Sequence, residues 1–264
     1  MAKSQTPPIL RAKAPGEPSI FRPANLLREA CRQLGRDVGD VPPVCLLDPD
    51  GDILDWLREK GLAVKSPSWA CYHTALYEFD WQGQRYGIVG NVVGGPFAVV
   101  VAEQMFASNC CLLVSITSAG QIAPDLDLPC FILIENALRD EGVSYHYLAP
   151  GDYAACPPAL ATRPKPALAK LPFAVRFGAT WTTDAPYRET EQAITDARGR
   201  GILAVEMEAA SLYALATAQA RDIVCFAHVT NRIAVHGEDF EKGAEDGTAE
   251  ALKIAAAAAT LLDR

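Results

Sequence analysis

Short apolar, β-branched runs that alternate with stretches of helical spacing predict an α/β fold. The expected form is a single three-layer domain, with a mixed, mainly parallel, twisted central sheet flanked by helices. Three observations carry this expectation. Gly201 to Ala220 changes period in mid-course, from the wholly apolar Ile202 to Val205 to helix-spaced Ala209, Ala210, Leu212, Tyr213, Leu215 and Ala216. Val44 to Leu47, Cys111 to Ile116 and Asp222 to Val229 are further buried-strand runs, each followed by a polar loop. Two extended segments flank Trp81-Gln82-Gly83 and read as an antiparallel pair, which makes the sheet mixed.

In order along the chain, Met1 to Pro23 is polar and proline-rich and reads as an extended arm, leaving residues 24–264 as the folded domain. Asn25 to Leu34 has helical spacing with Asn25 as its cap. After the Val44 strand and the turn Asp48-Pro49-Asp50-Gly51-Asp52, a helix is expected from Ile53 to Lys60, stopped by Gly61. Tyr72 to Phe79 and Gln84 to Val93 are the paired strands. Gly94-Gly95-Pro96 precedes an apolar helix over Phe97 to Phe106, where an early proline removes only an N–H that has no helical partner. Pro129 to Glu141 is expected to be helical. Leu148 to Pro172, rich in proline and small residues, is expected as a long surface excursion. Phe173 to Phe177 is a strand leading into a loop at Gly178 to Tyr187, and Arg188 to Ala197 is a short helix. Thr248 to Leu262 closes the chain as an alanine-rich helix.

The 264 residues, 50% hydrophobic and 21% charged, suffice for one substantial α/β core. A net charge of -8, without a Lys/Arg stripe, excludes a nucleic-acid backbone as partner. No apolar run spans a bilayer and the N-terminus has no signal-peptide core, so neither a membrane partner nor secretion is expected. The eight cysteines form no C-x-x-C pair and several sit in apolar runs. They read as small buried hydrophobes of a reducing, cytoplasmic compartment, with no metal site.

Candidate chemistry centres on Glu206 and Glu208, at the carboxyl end of a strand where it meets a helix. Open α/β sheets bind ligands at that end of their strands. Residues i and i+2 of an extended segment share a face, so both carboxylates are placed for one crevice. A single glutamate here is explained by the helix dipole alone; two in an apolar join are not, because a buried carboxylate needs partners. The loops at Asp48 to Asp52, Thr117 to Gly120, Thr180 to Arg188 and Asn231-Arg232 are placed to converge on the same crevice. His228, inside an apolar strand, reads as a core histidine. His236 lies in the final loop, and Trp181 and Tyr187 either stack a ligand or pack.

Val205-Glu206-Met207-Glu208-Ala209-Ala210 resembles the signature of the nucleoside phosphorylase superfamily, which includes uridine phosphorylase, hexameric purine nucleoside phosphorylase and nucleosidases. The resemblance runs in order from about Val44 to the C-terminus. Gly94-Gly95-Pro96 resembles the family's glycine turn, Ser118-Ala119-Gly120 its phosphate loop, Asp184 to Tyr187 its base-stacking loop, and Asn231-Arg232 its base-recognising position. The resemblance implies cleavage of an N-glycosidic bond, with Glu208 holding ribose hydroxyls, Met207 under the sugar and Glu206 supporting the site. Asp184 and Tyr187 would contact the base, Asn231 and Arg232 would stabilise it as it leaves, and Gly95, Ser118 and Arg188 would bind phosphate. It implies no cofactor beyond inorganic phosphate as co-substrate. As partners it implies a small-molecule nucleoside and a homo-oligomer, dimer or hexamer. A carboxylate beside an oxocarbenium-like centre binds the transition state more strongly than the neutral substrate. An amide and a guanidinium suit a carbonyl-bearing base, uracil or a 6-oxopurine.

The chain departs from the family pattern in three places. The arginine expected after the first strand is Gly51, and the one expected before the Ser118 loop is Ser115. The early histidine that reaches a neighbouring subunit's sugar is absent, the first histidine being His73. Asp48, Asp50 and Asp52 would repel a phosphate dianion unless a cation such as Arg188 compensates; Arg188 could equally pair with Glu189 or Glu191 on a helix surface. Phosphorolysis, the commonest reaction of the family the chain resembles, is the first expectation. Hydrolysis, with Asp48 or Asp50 orienting water, is the second, and non-catalytic nucleoside binding the third.

Overall fold

The computed structural model describes residues 6–11, 14–232 and 242–262. Ten strands among them form one sheet: β1 Val44–Asp48, β2 Val64–Lys65, β3 Tyr77–Trp81, β4 Gln84–Gly90, β5 Leu112–Gln121, β6 Cys130–Asp140, β7 Tyr153–Ala155, β8 Val175–Thr183, β9 Ile202–Glu206 and β10 Asp222–Asn231. The helices are α1 Pro23–Leu34, α2 Asp52–Glu59, α3 Gly95–Ala107, α4 Ser144–Tyr147, α5 Pro158–Thr162, α6 Lys165–Leu168, α7 Glu191–Gly199, α8 Ala209–Gln219 and α9 Thr248–Ala259. Mixed α/β architecture is thus as the sequence predicts, with β1, β4, β5 and β10 parallel to one another, β8 parallel to β6 and β9, and antiparallel pairs at β2–β3, β3–β4, β5–β9, β6–β7 and β6–β10.

The sheet has two parts with β5 as the hinge. Its amino-terminal half lies between β1 and β10, and its last residues turn to pair Gly120 with Val205 of β9. Because β10 also pairs with β6, β6 with β8 and β8 with β9, these five strands close on themselves. The ring brings the ends of β5, β8, β9 and β10 together, which is where the polar loops were expected to meet. The other wing ends in a hairpin whose two-residue turn, Gln82-Gly83, takes positive φ at both positions (50° and 80°), the geometry that matches strand twist.

Several boundaries differ from expectation, each for a physical reason. Pro129 to Glu141 is not helical: residues 130–140 are β6, held between β8 and β10. Phe131-Ile132-Leu133-Ile134 is a continuous apolar run, whose spacing does not distinguish a buried strand from a buried helix, and sheet pairing decides. Thr117 to Gly120 and Gly178 to Thr183, expected as loops, extend β5 and β8. Residues 72–76 are not strand, and Asn25 lies inside α1, whose first residue is Pro23. The excursion at 148–172 carries β7, α5 and α6, and buries Ala154, Cys156, Leu160 and Leu168 in the main core. In the arm, Ile9 lies against Gly142.

The core fixes the helix that follows the signature. Along α8 Ala209 to Ala216 are all buried, consistent with a helix that is apolar all round. The Tyr213 hydroxyl donates to the Ile134 carbonyl (2.6 Å) and accepts from the Cys225 N–H (3.1 Å), tying α8 to β6 and β10. All eight cysteines are free. No helix among the described residues is long and apolar enough to cross a membrane.

Candidate active site

Glu206 ends β9 and is 3% exposed. Its carboxylate accepts four hydrogen bonds: Thr180 Oγ1 at 3.1 Å and Thr182 Oγ1 at 2.5 Å on one oxygen, and the Glu208 and Ala209 N–H groups, both at 2.7 Å, on the other. Thr180 and Thr182 share a face of β8, as alternation requires. The Ala210 N–H donates to Thr182 Oγ1 (3.0 Å), so the Glu208, Ala209 and Ala210 N–H groups at the opening of α8 have side-chain partners. Glu206 therefore anchors the strand-to-helix join.

Glu208, 1% exposed, has fewer partners. Oε1 accepts from the Gly94 N–H at 2.7 Å; Oε2 accepts from Thr117 Oγ1 at 2.9 Å and from the Met207 N–H at 3.3 Å. Burial first, and then Glu206, push its carboxyl from an ordinary value near 4.5 up to about 8. Burial also raises Glu206, against the pull of its four hydrogen bonds. Capacity to accept remains on Glu208; its proton is held more tightly than that of a free carboxyl, and a positively charged neighbour would favour the ionised form.

Beside this pair lies an acidic turn. Asp48, 2% exposed, accepts from the Leu54 N–H (2.9 Å) and the Gly51 N–H (3.2 Å), so it caps the start of α2; burial raises its carboxyl to about 7. Asp50 points the other way. Its two oxygens accept the Ser118 N–H and the Ser118 hydroxyl, each at 2.8 Å. Lys242 pairs with Asp52 and stands 3.9 Å from Asp50. Ser115, where an arginine was expected, is buried with its hydroxyl unpartnered.

A cavity of about 370 Å³ opens next to these groups, lined by Ser118, Ala119, Gly120, Pro186, Tyr187, Glu189, Val205, Glu206, Met207 and Asn231. Five of the expected site residues thus meet there: Glu206, Met207, Ser118, Tyr187 and Asn231. Tyr187 is 98% exposed at its rim. The Asn231 amide donates to Thr230 Oγ1 (3.3 Å). Others do not line it. Glu208 is buried next to the lining residues Glu206 and Met207, Asp184 accepts from the Gly142 N–H (2.8 Å), Arg188 and Arg232 are exposed, and Gly95 is buried against Ser211 at the start of α3. His228 stacks on Phe131 (centroids 4.2 Å apart) and burial lowers it to about 4, so it is a neutral buried residue; His236 lies outside the described residues. Trp181 donates to Asp140 and packs with Ile122, Ile202 and Val205, away from the cavity. Sequence reasoning passed over Glu189 as a surface charge. It is half-buried in the cavity wall, with its carboxyl raised by burial. Among the described residues no group of three His, Cys, Asp or Glu is placed to hold a metal ion.

A buried glutamate pair thus sits at a strand-to-helix join, beside a serine loop and an open cavity. The family model of the phosphorylase superfamily matches residues 43–263, and the chain belongs to that superfamily. It is 27% identical over 235 residues to a DeoD-type purine nucleoside phosphorylase of Caldanaerobacter subterraneus, covering 84% of this chain and 98% of that one. A uridine phosphorylase of Thermococcus kodakarensis is 26% identical over 199 residues, 70% of each chain. The crystal structure of uridine phosphorylase from Vibrio fischeri superposes with a TM-score of 0.69 at 20% identity, covering 86% of this chain and 93% of that one, which establishes the shared fold.

Proposed function

We propose that this chain cleaves the N-glycosidic bond of a nucleoside with water, using Glu208 on the ribose, Asp50 on the water and the cavity beside Met207 for the base. The observation that carries the choice of water is the Asp50–Ser118 contact. Both donors that a phosphate would need at this loop are already taken by a carboxylate. A second anion about 4 Å from Asp50 would meet repulsion of roughly 4 kcal/mol at an effective dielectric of 20. Lys242 is the cation that faces the turn, and it is engaged by Asp52.

In this reading water attacks C1′ while the C1′–N bond breaks and its electron pair leaves with the base. The water's proton passes to Asp50, and the base takes a proton from solvent. Glu208, reacting in its ionised form, stabilises the developing charge. The base class is one that presents a ring N–H beside a carbonyl, a uracil or a 6-oxopurine. Glu189 is an acceptor for the N–H and the Asn231 amide a donor for the carbonyl. Phosphorolysis is the second reading, favoured by Lys242: if Asp50 swings away from Ser118, the vacated donors and Lys242 together would suit phosphate.

A product assay with inosine, uridine, adenosine and cytidine, with and without phosphate, separates these. We expect phosphate-independent release of base and free ribose, with inosine or uridine preferred. Asp50→Asn, which keeps the shape but removes the proton acceptor, is expected to lower the rate about 10²-fold, the usual worth of a general base. Ribose 1-phosphate as product would overturn water as the nucleophile. Absence of turnover with all four would make the protein a binder.

A further inference from the structure

Gly94 and Gly95 do separate things. Gly94 adopts φ +88° and ψ 146°, open to glycine but not to other residues, and from there its N–H reaches Glu208 Oε1 at 2.7 Å. Gly95 has an ordinary conformation, so its lack of a side chain has a different reason. A Cβ built there would overlap Ser211 Oγ and stand 3.0 Å from Ser211 Cβ, with the Met207 carbonyl next at 3.6 Å. Ser211, fully buried in the first turn of α8, cannot turn its hydroxyl aside freely, because that hydroxyl donates to Glu141 Oε2 at 2.6 Å. Glu141 is itself fixed by the Val143 and Ser144 N–H groups at 2.7 and 3.0 Å. A chain of contacts thus runs from the loop before α4, through Ser211, to the start of α3.

We propose that the Gly95–Ser211 contact is a positioning device for Glu208: it sets how closely α3 begins against α8, and so holds the Gly94 N–H on the carboxylate that faces the ribose. Gly95 and Ser211 are positioning residues, acting through Gly94. The proposal rests on the functional reading above for its catalytic consequence, but its geometry can be tested without substrate. The Gly94 hydrogen bond favours the ionised carboxylate, so loosening it moves the Glu208 titration upward. The other groups that act on Glu208 are the Thr117 hydroxyl and the Met207 N–H, which hydrogen-bond it, and the titratable Glu206 on β9, Asp50 after β1 and Cys225 on β10; none of these three titratable groups is among the atoms nearest Gly95.

The experiment is a ¹³C-carboxyl NMR titration of Glu208, assigned by its loss in Glu208→Gln, together with kcat and KM, in three variants. Gly95→Ala inserts the Cβ and Ser211→Gly removes the opposing wall. The double variant exchanges the side chain across the contact. Each single change is expected to raise the midpoint by about one unit, tenfold in the ionisation constant. Each is also expected to lower kcat up to about a hundredfold with little change in KM, as small misplacements of catalytic groups do. The double variant is expected to recover most of both, because contacting sites are not additive. Should Gly95→Ala fail to fold, Ser211→Gly and the double variant carry the same test. Unchanged midpoints in the single variants, or strictly additive effects in the double, would overturn the device. Nucleoside turnover surviving in Glu208→Gln would instead overturn the functional reading, leaving the titration result to stand.

Discussion

Glu208→Gln is expected to reduce nucleoside cleavage about 10³-fold while the protein stays folded. The substitution preserves shape. The amide oxygen still accepts the Gly94 N–H, and the amide nitrogen donates to Thr117 Oγ1 in place of the present bond. What is lost is the negative charge opposite the oxocarbenium-like ring, and a preorganised electrostatic partner of this kind is worth several kcal/mol in a dry site. Stability moves in the other direction. Because burial raises the Glu208 carboxyl from near 4.5 to about 8, the folded chain binds a proton the unfolded chain has released. Stability from this group is full below about pH 4.5 and is lost as pH rises towards 8. Asp48, raised to about 7, adds to the same trend. The wild-type Tm should therefore fall between pH 5 and 8, and Glu208→Gln should fall less. A variant that retained wild-type kcat would remove Glu208 from the catalytic centre. One that unfolded would show the charge to be structural.

Glu206→Ala should behave in the opposite manner, with its main effect on stability. Removing this carboxylate leaves the Glu208 and Ala209 N–H groups without acceptors inside the protein, and takes the partner from Thr180 and Thr182. Each buried orphan costs about 1–3 kcal/mol, and the threonine hydroxyls can turn to other acceptors. A loss of about 3 kcal/mol follows, which for a chain of this size lowers Tm by roughly 10 °C. Activity should fall as well, since the join that sets Met207 and Glu208 would loosen. Thermal unfolding with circular dichroism reads the first effect and initial rates the second. A Tm within a degree or two of wild type would mean that Glu206 is not the anchor of α8.

The two glutamates illustrate how far the sequence reaches. V-E-M-E at a period change was enough to point to the candidate site, because a wholly apolar run turning helical leaves few places for a buried carboxylate. It was not enough to divide the roles. That Glu206 is saturated with four donors, while Glu208 keeps accepting capacity, depends on Thr180 and Thr182 of a strand some 25 residues away and on Gly94 more than a hundred away. Glu189 was read as a surface charge for the same reason: nothing local marks a half-buried wall residue.

Periodicity, composition and the signature determined the α/β class, the order of most elements and the crevice at the ends of the strands, since these follow from local pattern and from the rule that strand ends bind ligands. Only the tertiary structure decided that residues 130–140 are a strand, because a continuous apolar run has no period until neighbours pair with it. Only the tertiary structure likewise put the Asp50 carboxylate on Ser118, a pairing across 68 positions that no spacing encodes. That contact arises because β1 and β5 are adjacent and parallel, so the loops leaving their carboxyl ends face each other. The proposed choice of water over phosphate rests on that adjacency.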